Sequence, residues 1–234
     1  MPSRFRKQIA ILFNAYLPKF RALMLKIHDM SRFPLFAKWA MFSFAITHMP
    51  RNERRLYLTF DDGPHPSITP DVMQILDQYA VKATFFCVGE NIQTYPEIFQ
   101  LLKNKGHGVG NHSFSHRNGW KTTNAEYLSD IKACENFTKT GLFRPPYGKL
   151  SISQAKILSR HYRIVLWSLL SRDYDESLLS EKILRTLLSR TKSGDIIVFH
   201  DSAKAFPRMI QVLPFYLEAM LEKGFTFDVI PPRI

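Results

Sequence analysis

Cysteine is nearly absent: Cys87 and Cys134 are the only two in 234 residues, and they stand far apart. Cys87 lies in the run Thr84-Phe85-Phe86-Cys87-Val88, which reads as a buried strand, and Cys134 falls in a predicted helix. Both read as small core side chains, and nothing argues for a disulfide framework. A reducing compartment is compatible with this usage.

Long hydrophobic stretches are missing too. Near the start, Arg4-Phe5-Arg6-Lys7 precedes Ile9-Ala10-Ile11-Leu12-Phe13, imitating the basic and apolar regions of a signal peptide. Asn14, Pro18, Lys19 and Arg21 interrupt the run, and no small-residue cleavage site follows. It falls far short of the about 20 residues that a membrane span needs. The expected location is therefore cytoplasmic, or peripheral at an inner membrane.

There is no internal repeat, no low-complexity tract and no nucleic-acid motif, so no nucleic-acid partner is expected. Acidic residues are scarce: 20 Asp and Glu face 32 Lys and Arg, giving a net charge of +12. Such an excess draws a chain towards anionic membrane or cell-envelope surfaces. It is spread out, however, with Arg4, Arg6, Lys7, Arg51, Arg54 and Arg55 its densest part. An ordinary solvated surface is the favoured reading of it. Oligomeric state is not legible.

What is present is an alternation of strands and helices. Residues 1–50 stand apart, rich in Phe, Met, Arg and Lys and interrupted by Pro18 and Pro34. They form an N-terminal extension, either a helix packed on the following domain or a basic amphipathic segment on a membrane. Residues 51–234 make one domain. The pattern there predicts strands at 55–61, 82–88, 108–112, 142–144, 163–169, 195–200 and 225–230. Helices separate them: one from about 69, where Thr69-Pro70 supplies an N-cap and a first-turn Pro, one after Tyr95-Pro96, 124–138 behind the capping box Thr123-x-x-Glu126, then 151–161, 177–190 and 207–223. Seven strands alternating with helices is the signature of parallel β/α units.

The chemistry concentrates where these strands end. Leu56-Tyr57-Leu58-Thr59-Phe60 runs into Asp61-Asp62-Gly63-Pro64, an apolar strand closed by paired carboxylates and a turn. Two anions so close repel and are costly to bury unpaired, so a cation is required. About fifty residues on, Asn111-His112-Ser113-Phe114-Ser115-His116 places imidazoles at i and i+4, which on a helical turn share a face. Such a pair alone is usually two loop histidines. Two imidazoles with one carboxylate, however, leave a ligand position open, the pattern of a catalytic rather than a structural metal.

Two more segments complete the set: Arg144-Pro145-Pro146-Tyr147-Gly148, and Ile196-Ile197-Val198-Phe199-His200-Asp201. With these, residues from about 55 to 230 resemble the polysaccharide deacetylase family (NodB homology domain, carbohydrate esterase family 4). The motifs TFDDGP, H-S/T-x-x-H, R-x-P-Y/F-G and L-x-H occur in order, the last with Val198 in place of its leucine, and jointly they are highly specific. The resemblance implies a distorted (β/α) barrel of about seven parallel strands with an incomplete ring. It implies an enzyme that removes N- or O-acetyl groups from glycans.

The same resemblance assigns roles. Asp62, His112 and His116 are expected to hold one divalent metal ion, zinc by preference, with cobalt, nickel and manganese also suited to such ligands. Asp61 is the expected base, Arg144 orients it, His200 is the acid and Asp173 supports His200. The Tyr147 backbone N–H is expected at the oxyanion. One motif departs from the family pattern. The usual D-x-x-D-W reads Leu170-Ser171-Arg172-Asp173-Tyr174 here, keeping the second Asp and replacing Trp by Tyr. That puts the substrate subsite in question more than the chemistry. Val198 and Trp167 read equally as pocket walls or as core strand residues. The expected substrate is an N-acetylated glycan containing GlcNAc: peptidoglycan, chitooligosaccharide or a surface polysaccharide. An O-acetyl xylan esterase, a non-sugar amidohydrolase and a silent glycan-binding or membrane scaffold protein are the alternatives.

Overall fold

Alternating side chains on the central strand explain how the domain is layered. In a strand, successive residues point to opposite faces. Along β2 (Arg55–Asp61), Leu56, Leu58 and Phe60 join the main apolar cluster under the helices. Tyr57, Thr59 and Asp61 point to the other face, the interior of the barrel, where Tyr57 meets Phe86, Leu142, Val165 and Ile196. β8 (Ile196–His200) repeats the rule, with Ile197 and Phe199 outward and Val198 and His200 inward at the site. Each fully buried Leu or Phe contributes about 1.5–3 kcal/mol.

The computed structural model describes residues 44–232, in which nine short strands form one parallel sheet. The others are β1 (Ala45–Ile46), β3 (Thr84–Cys87), β4 (Gly108–Asn111), β5 (Leu142–Phe143), β6 (Arg163–Val165), β7 (Leu169–Leu170) and β9 (Thr226–Phe227). Their order is β1-β6-β5-β4-β3-β2-β8-β7, with β9 pairing the start of β2. Helices α1 (Ile68–Gln78), α2 (Gly89–Thr94), α3 (Pro96–Asn104), α4 (Asn124–Thr138), α5 (Ile152–Leu158), α6 (Ser180–Arg190) and α7 (Phe206–Glu222) connect them. The expected architecture, a distorted barrel of parallel strands, is what the chain adopts.

Nine strands rather than seven arise at two places. The predicted strand 163–169 is broken into β6 and β7, which lie near opposite ends of the sheet. Between them Leu166 N–H donates to the Ile46 carbonyl at 2.8 Å, and Ser168 N–H donates to the Ile196 carbonyl at 3.1 Å. The chain bends at Ser168 and changes partners, so one run links the two ends of the sheet. The other addition is β1, which pairs with β6 and lies within the stretch set apart as an extension. The remaining part of that stretch, residues 1–43, lies outside the described residues, as do its readings as a leader, membrane segment or packed helix. No helix among the described residues is long and apolar enough to cross a membrane.

Local signals read from the sequence mostly hold. Thr123 and Glu126 form the capping box at the start of α4, and Pro96 opens α3. Thr69 does not cap its helix: α1 begins at Ile68 after Ser67, and the Thr69 hydroxyl is drawn instead to Asp201. Cys87 and Cys134 are free and buried, each donating weakly to a backbone carbonyl. Among the described residues, the dense arginines are partnered: Arg51 pairs with Asp195, Arg54 bonds the Lys223 carbonyl, and Arg55 pairs with Glu53 and Asp228.

Candidate active site

Strand register gathers the site. Asp61, at the end of β2, pairs in register with His200, at the end of β8. Asn111 pairs with Cys87 on one side and Phe143 on the other, so His112 and Arg144 emerge at the same end of the sheet. This is the face on which the groups of α/β barrels collect. A cavity of about 510 Å³ opens there, lined by Asp61, Asp62, His112, His116, Tyr147, Trp167, Tyr174, Val198 and His200. Leu170, Lys149, Ser202 and Lys204 also line it. Val198 and Trp167 prove to serve both readings, since Val198 is almost fully buried and Trp167 also packs on the core cluster around Phe143.

Asp61 is held by Arg144, which is completely buried. The guanidinium donates to Asp61 Oδ1 at 2.7 Å and to Thr59 Oγ1 at 2.8 Å. Its other nitrogens donate to the carbonyls of Val165 and Leu166, at the seam where β6 gives way to β7. Below, the Phe86 ring lies 4.1 Å from the guanidinium carbon. A charge so buried is tolerated because its donors are occupied and its partner is an anion.

Asp62 turns into the same cavity although it follows Asp61 directly. Its φ of 82° breaks the strand's alternation, and Asn91 holds its carbonyl with a 2.7 Å hydrogen bond. Asp62 Oδ1 lies 3.2 Å from His116 Nε2 and 3.7 Å from His112 Nε2. Burial opposes its charge, but His116, His200 and His112 outweigh that and hold the carboxyl well below the usual carboxylate range. Burial lowers His112 to about 4, so it is neutral at physiological pH. Its Nδ1 lies 2.8 Å from the Arg144 carbonyl. A carbonyl only accepts, which places the proton on Nδ1 and leaves the Nε2 lone pair for a metal.

His112 and His116 do not share a helical turn as expected. They lie in a loop whose Ser113 and His116 have φ of 62° and 53°. Asp130, from α4, fastens this loop: Oδ2 accepts from Phe114 N–H at 3.0 Å, and Oδ1 accepts from Ser115 Oγ at 2.6 Å. Asn111 adds a bond to Ser113 N–H. The rings still converge, with centres 5.0 Å apart. One ligand atom each from Asp62, His112 and His116 lies within 4.8 Å of the others, and a carboxylate with two imidazoles fits a divalent cation.

His200 completes the cavity. Its Nδ1 is 2.7 Å from Asp173 Oδ1, and its backbone N–H donates to Asp173 Oδ2 at 2.9 Å. Burial disfavours the imidazolium, but Asp173, with Asp62 and Asp61 beyond, raises its pKa to about 9. Tyr174 stands edge-on to the ring at 5.1 Å. Tyr147 sits in the turn Pro146–Gly148 with φ 60°, and its backbone N–H has no hydrogen-bond partner among the described residues.

Sequence reading missed two supports. Asp130 carried no signal, being one polar residue in an ordinary helix. Asp201 could have been found, since it follows His200 at a strand end. It accepts from Gly63 N–H and Thr69 Oγ1, and burial, with Asp62 close by, pushes its carboxyl up to about 7. A Cβ on Gly63 would lie 2.0 Å from Asp201 Oδ2, which explains the glycine after the Asp pair.

Comparison with known proteins agrees with this geometry. A family profile, Polysaccharide deacetylase, matches residues 48–162. A peptidoglycan-N-acetylglucosamine deacetylase of Bacillus cereus is 30% identical over 225 residues, covering 93% of this chain and 81% of that protein. The chain belongs to the polysaccharide deacetylase family. A chitooligosaccharide deacetylase of Azorhizobium caulinodans is 30% identical over 200 residues, covering 77% of this chain and 95% of that protein. The crystal structure of the Bc1960 peptidoglycan N-acetylglucosamine deacetylase superposes with a TM-score of 0.79 at 29% identity, covering 85% of this chain and 95% of that one. Polysaccharide deacetylases of this kind are hydrolases that use a divalent metal ion, and the Asp62, His112 and His116 set suits one.

Proposed function

We propose that this polysaccharide deacetylase removes N-acetyl groups from a glycan containing GlcNAc, of the peptidoglycan or chitooligosaccharide kind. The observation that carries the reading is the meeting, in one cavity, of a three-ligand set with two differently paired proton carriers. Asp61 is paired to a guanidinium and His200 to a carboxylate, on neighbouring strands in register. That arrangement suits hydrolysis, which needs a base for the entering water and an acid for the leaving group.

Asp62, His112 and His116 would hold the metal, and zinc best fits two imidazoles and one carboxylate. When bound, the ion supplies Lewis acidity, polarising the acetyl carbonyl and acidifying water. Asp61 takes the proton from the attacking water. It is free to do so because Arg144 occupies only Oδ1 and Asp61 stays out of the ligand set. The Tyr147 N–H, lacking an internal acceptor, is aimed at the developing oxyanion. His200 is protonated near neutral pH and hands its proton to the leaving nitrogen, while Asp173 holds the ring through Nδ1 so that Nε2 faces the substrate. An amine leaves poorly unless protonated, which favours N-acetyl over O-acetyl substrates at a site that invests a buried carboxylate in keeping this imidazole charged. Trp167, Tyr174 and Val198 wall the acetyl and sugar region.

The test is acetate release from N-acetylated chitooligosaccharides and peptidoglycan fragments, with and without a chelator. Turnover on at least one of them, abolished by chelation and restored by zinc, is expected. Unchanged turnover after the metal has been removed to completion, or activity confined to acetyl xylan, overturns the proposal.

A further inference from the structure

Beside Tyr147 the cavity opens onto a strip of surface with features that acetyl hydrolysis does not require. Trp120 is 66% exposed, yet its indole is tethered. Nε1–H donates to the Leu150 carbonyl at 3.1 Å, and the backbone N–H donates to Asn118 Oδ1 at 3.0 Å. Next to it Gly119 is wedged against the segment that follows Tyr147. Gln154 donates to the Gly119 carbonyl at 2.9 Å, and a Cβ on Gly119 would lie 2.6 Å from the Lys149 carbonyl oxygen. The turn Gly119–Lys121 is therefore fixed to the same backbone that presents Tyr147 to the site.

Lys149 joins the two aromatic rings. Its ammonium lies 5.6 Å from the Trp120 ring centre and 5.8 Å from that of Tyr147. Tyr147 in turn stands edge-on to His116 at 4.7 Å. His116, Tyr147, Lys149 and Trp120 thus run without interruption from the metal-ligand set to open surface. A single exposed aromatic is ordinary. An indole whose orientation is fixed, and which a cation links to a catalytic cavity, is a preorganised contact that loses little freedom on binding.

On the deacetylase reading above, we infer that Trp120 and Lys149 form a flanking subsite for the sugar ring next to the one carrying the scissile acetyl group. A pyranose presents an apolar C–H face, which the indole face covers, and hydroxyl or carboxylate oxygens, which accept from the Lys149 ammonium. Contacts remote from the reacting bond hold the chain in register, so the subsite makes the protein prefer oligomers over single sugars.

The experiment compares kcat/KM for an N-acetylated chitopentaose with that for a single-sugar N-acetylglucosaminide, in wild type, Trp120→Ala, Trp120→Phe and Lys149→Met. The ratio of long to short substrate falls roughly tenfold in Trp120→Ala, as for loss of one aromatic anchor. It falls less in Trp120→Phe and measurably in Lys149→Met. An unchanged ratio, including an equal loss on both substrates, overturns the inference. Calorimetric titration with chitopentaose and with a GlcNAc–MurNAc tetrasaccharide separates it from the catalytic reading. Binding that Trp120→Ala weakens, in a wild type that releases no acetate, upholds the subsite and refutes the deacetylase assignment. No binding of either chain by wild type refutes the subsite.

Discussion

The strand-borne and loop-borne halves of the site are built on different principles. Asp61, Arg144 and His200 sit at or just beyond the ends of β2, β5 and β8, and each is paired: Asp61 with Arg144, and His200 with Asp173. The loop half bends the backbone against its preference. Asp62, Ser113, His116, Tyr147 and Arg172 all have φ between 53° and 82°, a region that non-glycine residues avoid at a cost of about 1–3 kcal/mol each. A strand sends only every second residue into the cleft, so it suits a few rigid groups that handle protons. Loops with left-handed residues can crowd neighbouring side chains around one point, which a ligand set demands. The strand half draws its stability from burial and pairing, and the loop half from side-chain bonds such as those of Asp130.

The sharpest way to separate the halves is to disable one group from each. Asp61→Asn keeps an acceptor for Arg144 but removes the charge, so kcat/KM falls about a thousandfold while bound metal, measured by elemental analysis, is retained. His112→Ala loses metal and turnover together. An active Asp61→Asn protein removes Asp61 from the role of base. Next in size is Arg144→Met, which leaves Asp61 buried without its cation and undoes the bonds to Val165 and Leu166. Urea unfolding is expected to show a loss of about 3–5 kcal/mol. A loss below ~1 kcal/mol would mean that the strand half does not depend on this pair.

Asp173→Asn tests proton handling alone. A cation on Asp62 cancels that residue's pull on His200, leaving Asp173 as the chief support of the His200 proton. On the proposed mechanism His200 acts as acid only while protonated, so activity is lost as pH rises through its pKa, at or below about 9. Removing the Asp173 charge lowers that pKa, and the alkaline limb of the kcat/KM profile moves to lower pH. The rate at neutral pH falls roughly a hundredfold. An alkaline limb that stays in place would assign the acid elsewhere. The smallest effect belongs to the loop half: Asp130→Ala frees Phe114, Ser115 and Arg117 from their shared acceptor. Metal affinity, read by chelator competition, is expected to drop about tenfold, as for other outer supports of metal ligands.

The same division explains what was legible in the sequence. Strand ends announce themselves, because an apolar run followed by Asp61-Asp62-Gly63-Pro64 or ending in His200 has few other readings. Asp61, Asp62, His112, His116, Tyr147 and His200 do line one cavity, with Arg144 buried behind Asp61 and Asp173 behind His200. Backbone shape in the loops was not legible, since nothing in His112-Ser113-x-x-His116 distinguishes a helical turn from a loop whose Ser113 and His116 are left-handed. Nor does composition show that residues 163–169 change partner at Leu166–Ser168, because a strand and a crossing can use the same mostly apolar residues. Long-range partners are the remaining blind spot: Thr69 has the look of a helix cap until Asp201, 132 residues away, is seen to take its hydroxyl.

The bridge between β6 and β7 has one more consequence. A sheet left open exposes rows of unpaired amide and carbonyl groups to which another chain can add a strand. Here the terminal strands of the order, Ala45–Ile46 and Leu169–Leu170, are two residues long, and the polypeptide itself runs across the opening. Among the described residues, the barrel thus keeps its opening without offering a neighbour a ladder long enough to grip, a safeguard against aggregation through its edges.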